Sequence, residues 1–167
     1  MLDSNCVFCM MIFDRHPHVF HRSRGGGLAA IWSEYAVAPG HFLVVPTYHA
    51  PLLEDMGYVD QRELMVYMLE VKRHVLALGP ETLKVVYRRM SENQLNEMAG
   101  DYARRALQKL ERHWCPPQAY NVCVNDGEAA GQSVGHCHLH GVPRWDGDFE
   151  KPRGGFRNMF PGDAYSQ

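Results

Sequence analysis

The chain has 167 residues, a formal net charge of -2 with neutral histidines, 46% hydrophobic residues and 22% charged residues. The length suits one domain with its own hydrophobic core, and the charge excludes the strongly basic balance of proteins that bind nucleic-acid phosphates. Apolar runs fall far short of the roughly 20 residues that a membrane-spanning helix needs, and the N-terminus lacks the basic and apolar regions of a secretory signal. We therefore expect a single cytoplasmic domain over residues 1–167 that binds neither membranes nor nucleic acid.

The first fifty residues have the pattern of strands and turns. Residues 28–32 follow a run of glycines, and residues 42–45 lie between a Pro-Gly pair and Pro46. Short apolar runs between such residues predict two buried strands of an antiparallel sheet.

The middle of the chain is predicted to be helical. Apolar residues recur at three- and four-residue steps over 59–78, which indicates an amphipathic helix. Ser91 is a good N-cap with Gln94 as its capping-box partner, so a second helix is expected over 91–114. The pattern over 80–90 fits either a helix or a short strand.

Strand patterns return after the prolines that follow this helix. Residues 120–125 alternate, Asp126-Gly127 forms a turn, and another strand is expected over 136–142. The tail over 145–167 is glycine-rich and charged, and we expect little regular structure in it.

Three histidines, His136, His138 and His140, occupy alternate positions of the last predicted strand. The alternation turns their imidazoles to one face, and turns Cys137 and Leu139 towards the core. Such a row suits a zinc site, a phosphate site with a nucleophilic histidine, or a solvated face without a role. The spacing alone favours a metal site.

A loop of small residues, 129–133, precedes the histidines. Its small side chains let backbone groups approach an anion, and Gln132 and Ser133 add an amide and a hydroxyl. A loop of this kind beside imidazoles suits a phosphate better than a bare metal ion.

Cys6 and Cys9 have the spacing that lets two thiolates bind one zinc ion. A redox dithiol is the alternative, and it is less favoured because no βαβ pattern surrounds the pair. The other three cysteines are expected to be small buried hydrophobic residues: Cys115, Cys123 and Cys137.

Two segments together resemble the signature of the histidine-triad (HIT) superfamily. One is Pro39-Gly-His-Phe-Leu-Val-Val-Pro-Thr-Tyr-His49, and the other runs from Asn125 to Arg144 through the three histidines. The similarity covers roughly residues 6–56 and 91–149. It implies an α+β fold, in which helices pack on an antiparallel sheet, and a homodimer that extends this sheet.

The resemblance also implies catalytic roles. His138 would be the nucleophile, forming a covalent nucleotidyl-histidine that water or another acceptor resolves. His140 would contact the α-phosphate or the scissile bridging atom. Gln132 would orient phosphate oxygens, and Ser133 would assist the leaving group.

On the nucleotide side, the resemblance implies that Asn125 binds phosphate or ribose and that backbone donors near Gly131 stabilise the transition state. Ser33 stands where typical relatives carry a ribose-binding aspartate, so the charged acceptor is lost. An apolar wall for the base would come from three residues that otherwise belong to the core: Ile31, Trp32 and Phe8.

In the branches of the superfamily that keep the Cys-x-x-Cys pair, two histidines complete a structural zinc site. The resemblance assigns these to His49 and His136, together with Cys6 and Cys9. Three nearby histidines compete for this role and are more simply surface-loop residues: His16, His18 and His21.

One helix normally separates the two motifs of the superfamily. The predicted 91–114 helix fills this role, so residues 57–90 are expected to be an inserted helical segment. The tail from Trp145 resembles that of relatives that process dinucleoside polyphosphates, in which the C-terminus lies near the leaving group.

We consider three functions. The first is hydrolysis of a dinucleoside polyphosphate or a similar nucleotide anhydride, and the second is phosphoramidase or nucleotidyl transferase activity of the same His138. The third is a nucleotide-binding module without turnover. The intact His138, His140 and Gln132 argue against that module, whereas Ser33 and the inserted segment keep it open as an alternative.

Overall fold

The computed structural model describes residues 2–92, 96–112 and 114–149, and within them five strands form one antiparallel sheet. In chain order the strands are β1 Val19–Arg22, β2 Leu28–Trp32, β3 Phe42–Pro46, β4 Ala119–Val124 and β5 Leu139–Arg144. Their spatial order is β1-β2-β3-β5-β4, so the last strand inserts between β3 and β4.

Four helices lie among the described residues: α1 Val7–Phe13, α2 Tyr58–Ala77, α3 Pro80–Ser91 and α4 Glu97–Arg112. The fold is therefore α+β, as expected. None of these helices combines the length and the apolar character needed to cross a membrane.

Strands β2, β3 and β4 confirm their predictions, but β5 begins three residues later than expected. In the register that pairs Val44 with Leu139, Cys137 would lie opposite Pro46. Proline has no N–H to donate, and the N–H of Cys137 instead donates to the carbonyl of Ala50 at 2.7 Å.

Two predictions about helices were wrong. Residues 7–13, expected among strands and turns, form α1, which buries Phe8, Cys9 and Ile12. Ser91 ends α3 instead of starting a helix, and its hydroxyl donates to the carbonyl of Arg88 at 2.7 Å.

The cap of α4 is Asn96, whose side-chain oxygen accepts from the N–H of Ala99 at 3.1 Å. Gln94, the expected capping partner, lies outside the described residues. The stretch that fitted either a helix or a strand is helical, and Pro80 occupies its first turn.

The sheet has a core on each face. On one face β2 and β3 pack against α2, and the fully buried Phe42 fills the space above Gly141, where any Cβ would collide with its ring. On the other face α1 packs its Phe8 and Ile12 against Ile31. The sheet therefore lies between the larger core and a smaller one, which contains α1.

Helix α2 packs directly on the strands, whereas α3 packs against α4. The interpretation of residues 57–90 as the inserted segment stays a prediction, and so do the single-domain organisation and the homodimer. Of the tail that begins at residue 145, the part over 150–167 lies outside the described residues.

Candidate active site and metal centre

The three histidines lie where the chain enters β5. His136 and His138 precede this strand, and His140 is its second residue. Cys137 and Leu139 belong to the larger core, whereas the imidazoles of His136 and His138 pack against the ring of Phe8 on the opposite face. The expected alternation is present, although only one of the three histidines lies within the strand.

The imidazole of His138 is buried, with 3% of the residue exposed, and it has a defined hydrogen-bonding state. Its Nδ1 lies 2.7 Å from the carbonyl oxygen of His136. Because a carbonyl only accepts, Nδ1 carries the hydrogen and Nε2 keeps its lone pair. Burial lowers the pKa of His138, which favours this neutral form at pH 7.

His41, which the sequence patterns did not single out, is bonded to His140. The Nε2 of His41 lies 3.0 Å from the Nδ1 of His140, and the backbone N–H of Val37 donates to the Nδ1 of His41 at 3.4 Å. With its Nδ1 accepting, His41 donates from Nε2. His140 then accepts at Nδ1 and carries its hydrogen on Nε2.

Both imidazoles of this pair are held neutral. Burial is the main cause that lowers the pKa of His41 to about 3, and repulsion from a positive charge on His140 is the second cause. Burial and the neighbouring His138 lower the pKa of His140 to about 4. The site therefore presents a free lone pair on Nε2 of His138 and a donor on Nε2 of His140, with ring centroids 5.1 Å apart.

The sequence does contain a clue to His41, because it belongs to the Pro-Gly-His segment that precedes β3. Its partner could not be identified from that segment alone. The contact depends on the pairing of β3 with β5, which sets Leu43 opposite His140.

The loop before the histidines is held together by Gln132. Its Nε2 donates to the carbonyls of Pro51 and Val134 at 2.8 and 2.9 Å, and its Oε1 accepts from the N–H of Gly127 at 2.8 Å. Both amide hydrogens are thus used within the protein. In this arrangement Gln132 organises the loop, and its role in orienting phosphate oxygens stays a prediction.

The remaining loop residues are close by. Asn125 donates from Nδ2 to the carbonyl of Gly131 at 3.3 Å, and Gly131 adopts a φ of 90°, a conformation that favours glycine. Ser133 is exposed. The described structure therefore leaves the hydroxyl of Ser133 accessible at the side of the loop.

The three residues proposed for the base wall do not lie together. Phe8 and Ile31 share the apolar cluster on the histidine side of the sheet. Trp32 lies in the opposite core, where its ring stacks on Phe20 with centroids 3.9 Å apart. The prediction for Trp32 is corrected because neighbouring residues of a strand point to opposite faces.

Ser33 lies next to this site at the end of β2. The residue is 5% exposed, and its N–H donates to the carbonyl of His41 at 3.1 Å. The structure thus brings Ser33 next to the His41–His140 pair.

The expectation that three N-terminal histidines lie in surface loops was wrong for two of them. His18 is buried, and its Nδ1 lies 3.4 Å from a carboxylate oxygen of Glu34. His21 belongs to β1, where its Nδ1 lies 3.2 Å from the hydroxyl of Tyr67. The ring of His16 packs against that of His18, with centroids 4.4 Å apart.

The four residues expected to bind zinc converge on one point. The ligand atoms of Cys6, Cys9, His49 and His136 all lie within 4.8 Å of one another. The Nδ1 of His136 is 3.4 Å from the sulfur of Cys6 and 3.6 Å from that of Cys9, and the Nδ1 of His49 is 3.6 Å from the sulfur of Cys9. A tetrahedral zinc ion with ordinary bond lengths separates sulfur from nitrogen by about 3.6 Å.

The surroundings of these ligands also fit a metal ion. His136 donates from Nε2 to the carbonyl of Pro46 at 3.0 Å, so the lone pair of its Nδ1 faces the cysteines. The Nε2 of His49 lies 3.8 Å from a carboxylate oxygen of Asp3. Two sulfurs and two imidazole nitrogens with such outer partners form a donor set that suits zinc.

Comparisons with known proteins found a matching family model, relatives among curated proteins and similar solved structures. The family model described as HIT domain matches residues 27–147. The AP-4-A phosphorylase of Mycobacterium tuberculosis is 29% identical over 127 residues, which are 75% of this chain and 47% of the relative. An uncharacterized 16.1 kDa HIT-like protein of Mycoplasma pneumoniae is 27% identical over 146 residues, covering 87% of this chain and 76% of the relative.

Among solved structures, a hypothetical protein from Leishmania major superposes with a TM-score of 0.56 at 25% identity, covering 87% of this chain and 77% of that chain. The chain spans about half the length of the phosphorylase that it matches, with 47% of that relative covered.

Proposed function

The chain belongs to the HIT domain family, and on this premise we propose that it cleaves a nucleotide phosphoanhydride at the α-phosphorus, with His138 as the nucleophile. The proposed substrate class is a dinucleoside polyphosphate, in line with the similarity to an AP-4-A phosphorylase. The acceptor is water or another nucleophile, which makes the protein a nucleotide hydrolase or transferase.

The observation that carries the proposal is the 2.7 Å bond from Nδ1 of His138 to the carbonyl of His136. It leaves the lone pair of Nε2 free for attack. In the first step a bond forms from Nε2 to the α-phosphorus, and the bond from phosphorus to the bridging oxygen breaks, with its electron pair leaving on that oxygen. The positive charge that develops on the imidazole is stabilised by the same carbonyl.

His140 contributes the complementary group. Its Nε2–H donates to the bridging oxygen or to an oxygen of the α-phosphate, where negative charge accumulates in the transition state. His41 acts as a positioning residue, since its own Nε2–H fixes the hydrogen of His140 on the outer nitrogen.

In the second step, water or another acceptor attacks the phosphorus and the bond to Nε2 of His138 breaks. The electron pair returns to this nitrogen, and the proton of the acceptor passes to solvent. The neutral imidazole is thereby regenerated, ready for another substrate.

We propose a structural role for zinc at Cys6, Cys9, His49 and His136. A bound zinc ion would link α1 to the segment that enters β5. These ligands would hold Phe8 against the imidazole of His138, whose ring centroid lies 5.4 Å from that of Phe8.

Turnover of three substrates tests the proposed function: diadenosine tetraphosphate, adenosine 5'-phosphoramidate and ADP-glucose. The first is expected to have the highest kcat/KM, and the His138→Ala variant is expected to lose at least about a hundredfold of it. His74→Ala, which changes an exposed histidine of α2, is the matched control. Equal activity of the His138→Ala variant, or turnover of none of the substrates, would overturn the proposal.

A further inference from the structure

Tyr87 lies on α3, outside both segments of the HIT signature, and it is the largest fully buried side chain among the described residues. A buried hydroxyl is costly unless it is hydrogen-bonded. Both of its partners belong to the turn before β3: the N–H of Gly40 donates to the hydroxyl at 2.8 Å, and the hydroxyl donates to the carbonyl of Ala38 at 3.5 Å. Burial raises the pKa of Tyr87, so the hydroxyl keeps its hydrogen at pH 7 and can make both bonds.

The turn over 38–41 has the residues and the hydrogen bond of a type II turn. A proline occupies its second position, Gly40 at the third position adopts a φ of 82°, and the N–H of His41 donates to the carbonyl of Ala38 at 3.0 Å. The central peptide, which joins the proline to Gly40, makes no bond within such a turn. Because Tyr87 accepts from the N–H of this peptide, it fixes the orientation of the peptide.

His41 is the last residue of this turn, and its imidazole is held on two sides. The N–H of Val37 donates to its Nδ1 at 3.4 Å, and its own Nε2 donates to the Nδ1 of His140 at 3.0 Å. The carbonyl of His41 accepts from the N–H of Ser33 at 3.1 Å, which joins the turn to the end of β2. Tyr87 is thus connected through the turn and His41 to His140, the donor in the proposed reaction.

We propose that Tyr87 is a positioning residue for the active site: its hydroxyl fixes the turn that holds His41, and thereby fixes the hydrogen of His140 on the outer nitrogen. This proposal rests on the proposed function and deepens it, because it makes α3 part of the structure that orients a catalytic group. Without the hydroxyl the central peptide of the turn can reorient, and the Nε2 of His41 moves away from His140. The imidazole of His140 then populates both neutral tautomers, and only one of them donates to the phosphate.

A double-mutant cycle tests the proposal. Tyr87→Phe removes only the hydroxyl, and we expect kcat for diadenosine tetraphosphate to fall about tenfold while KM stays within about twofold. In His41→Ala, where the bond to His140 is already lost, adding Tyr87→Phe should change kcat by less than about twofold. Tyr67→Phe is the matched control, because it removes another buried hydroxyl of the same core, which lies 3.2 Å from the Nδ1 of His21. An equal fall of kcat in both backgrounds, or no fall in either, would overturn the proposal.

The tautomer of His140 provides a test that needs no turnover. Long-range ¹H–¹⁵N NMR spectra of the imidazoles should show a single Nε2–H form of His140 in the wild type and in Tyr67→Phe, and a mixture of tautomers in Tyr87→Phe. An unchanged His140 in Tyr87→Phe overturns the proposal even if the enzyme is active. If no substrate is turned over, the proposed function fails, and these spectra still decide whether Tyr87 orients the histidine pair.

Hydrogen exchange of the wild type tests the first bond of this connection without any variant. The amide of Gly40 should exchange slowly, because its only partner is the buried hydroxyl of Tyr87. Slow exchange supports the proposal, and exchange as fast as that of an exposed loop amide would overturn it.

Discussion

The backbone of His136 and the side chain of His138 are joined by a hydrogen bond of 2.7 Å, while the side chain of His136 faces the sulfurs of Cys6 and Cys9. One residue therefore belongs to the candidate metal centre through its imidazole and orients the candidate nucleophile through its carbonyl. A change at the metal centre is expected to reach His138 by this short route.

The first prediction concerns zinc. We expect about one zinc ion per chain in the wild type. The Cys6→Ala variant should lose this ion, and its free energy of unfolding should fall by about 3 kcal/mol or more. This is the stabilisation that a ligand gives when its free concentration is about a hundred times its Kd. Elemental analysis and urea unfolding measure the two effects. Cys115, like Cys123, is exposed and not buried as expected from the sequence, so Cys115→Ala, outside the site, should keep both the metal and the stability.

The second prediction concerns the positioning role of His41. Its replacement by alanine removes the donor to Nδ1 of His140, and kcat should fall by about 10- to 100-fold, as for other residues that orient a catalytic group. KM should change little. His41→Gln, whose amide can donate, should recover part of kcat, whereas an unchanged kcat in His41→Ala would show that the bond has no catalytic role.

The third prediction concerns acid pH. The pKa values of His41 and His140 in the folded protein are lowered to about 3 and about 4, whereas an unfolded histidine titrates near 6.5. As the pH falls from about 6.5 to 4, the unfolded chain takes up protons that the native pair does not. The contribution of this pair to the free energy of unfolding is therefore fully present above about pH 6.5, and it is lost as the pH falls towards the folded pKa values.

Urea unfolding at pH 7, 5.5 and 4.5 measures this loss. Comparison with a His41→Gln/His140→Gln double variant isolates the pair from the pH dependence of the metal ligands. The double variant should lose less stability than the wild type over this range. The same loss in both proteins would assign the acid sensitivity to other groups.

The fourth prediction separates the two faces of the sheet. Phe8→Leu should raise the KM for diadenosine tetraphosphate several-fold, because Phe8 lies on the side of His138. Trp32→Phe should lower the melting temperature through its stacking on Phe20 and leave KM unchanged. A large effect of Trp32→Phe on KM at full stability would contradict the assignment of faces.

The elements that the sequence predicted well are those with local causes. Strand β2 is an apolar run that follows three glycines, and β3 is one that follows Pro39-Gly40 and ends at Pro46; such residues bound a strand whatever surrounds it. Helix α1 was missed because all seven of its residues are apolar, so no polar face marks a helical period over its two turns, and the helix is held by packing on the sheet.

The start of α4 was wrong for a related reason. Ser91 matched a capping pattern, but α3 continues to this residue and Asn96 caps the next helix. Local capping patterns occur at both positions, and packing of α3 against α4 decides between them.

At the candidate metal centre the sequence predicted the four residues that converge, but at the base wall it joined residues from opposite faces of the sheet. Alternation along β2 already separates Ile31 from Trp32, since adjacent residues of a strand cannot share a face. The bond between His41 and His140 joins residues 99 positions apart, and it follows from β5 inserting beside β3. That strand order has no local cause in the sequence.

The most direct measurement of the central claim is the capture of the nucleotidyl-histidine itself. Protein and diadenosine tetraphosphate labelled at the α-phosphorus are mixed rapidly and quenched in alkali, and the labelled peptide is located by mass spectrometry. We predict one nucleotidyl group on His138 in the wild type and in His74→Ala, and none in His138→Ala. Label on a different residue, or steady turnover without any labelled protein, would contradict the role of His138 as nucleophile.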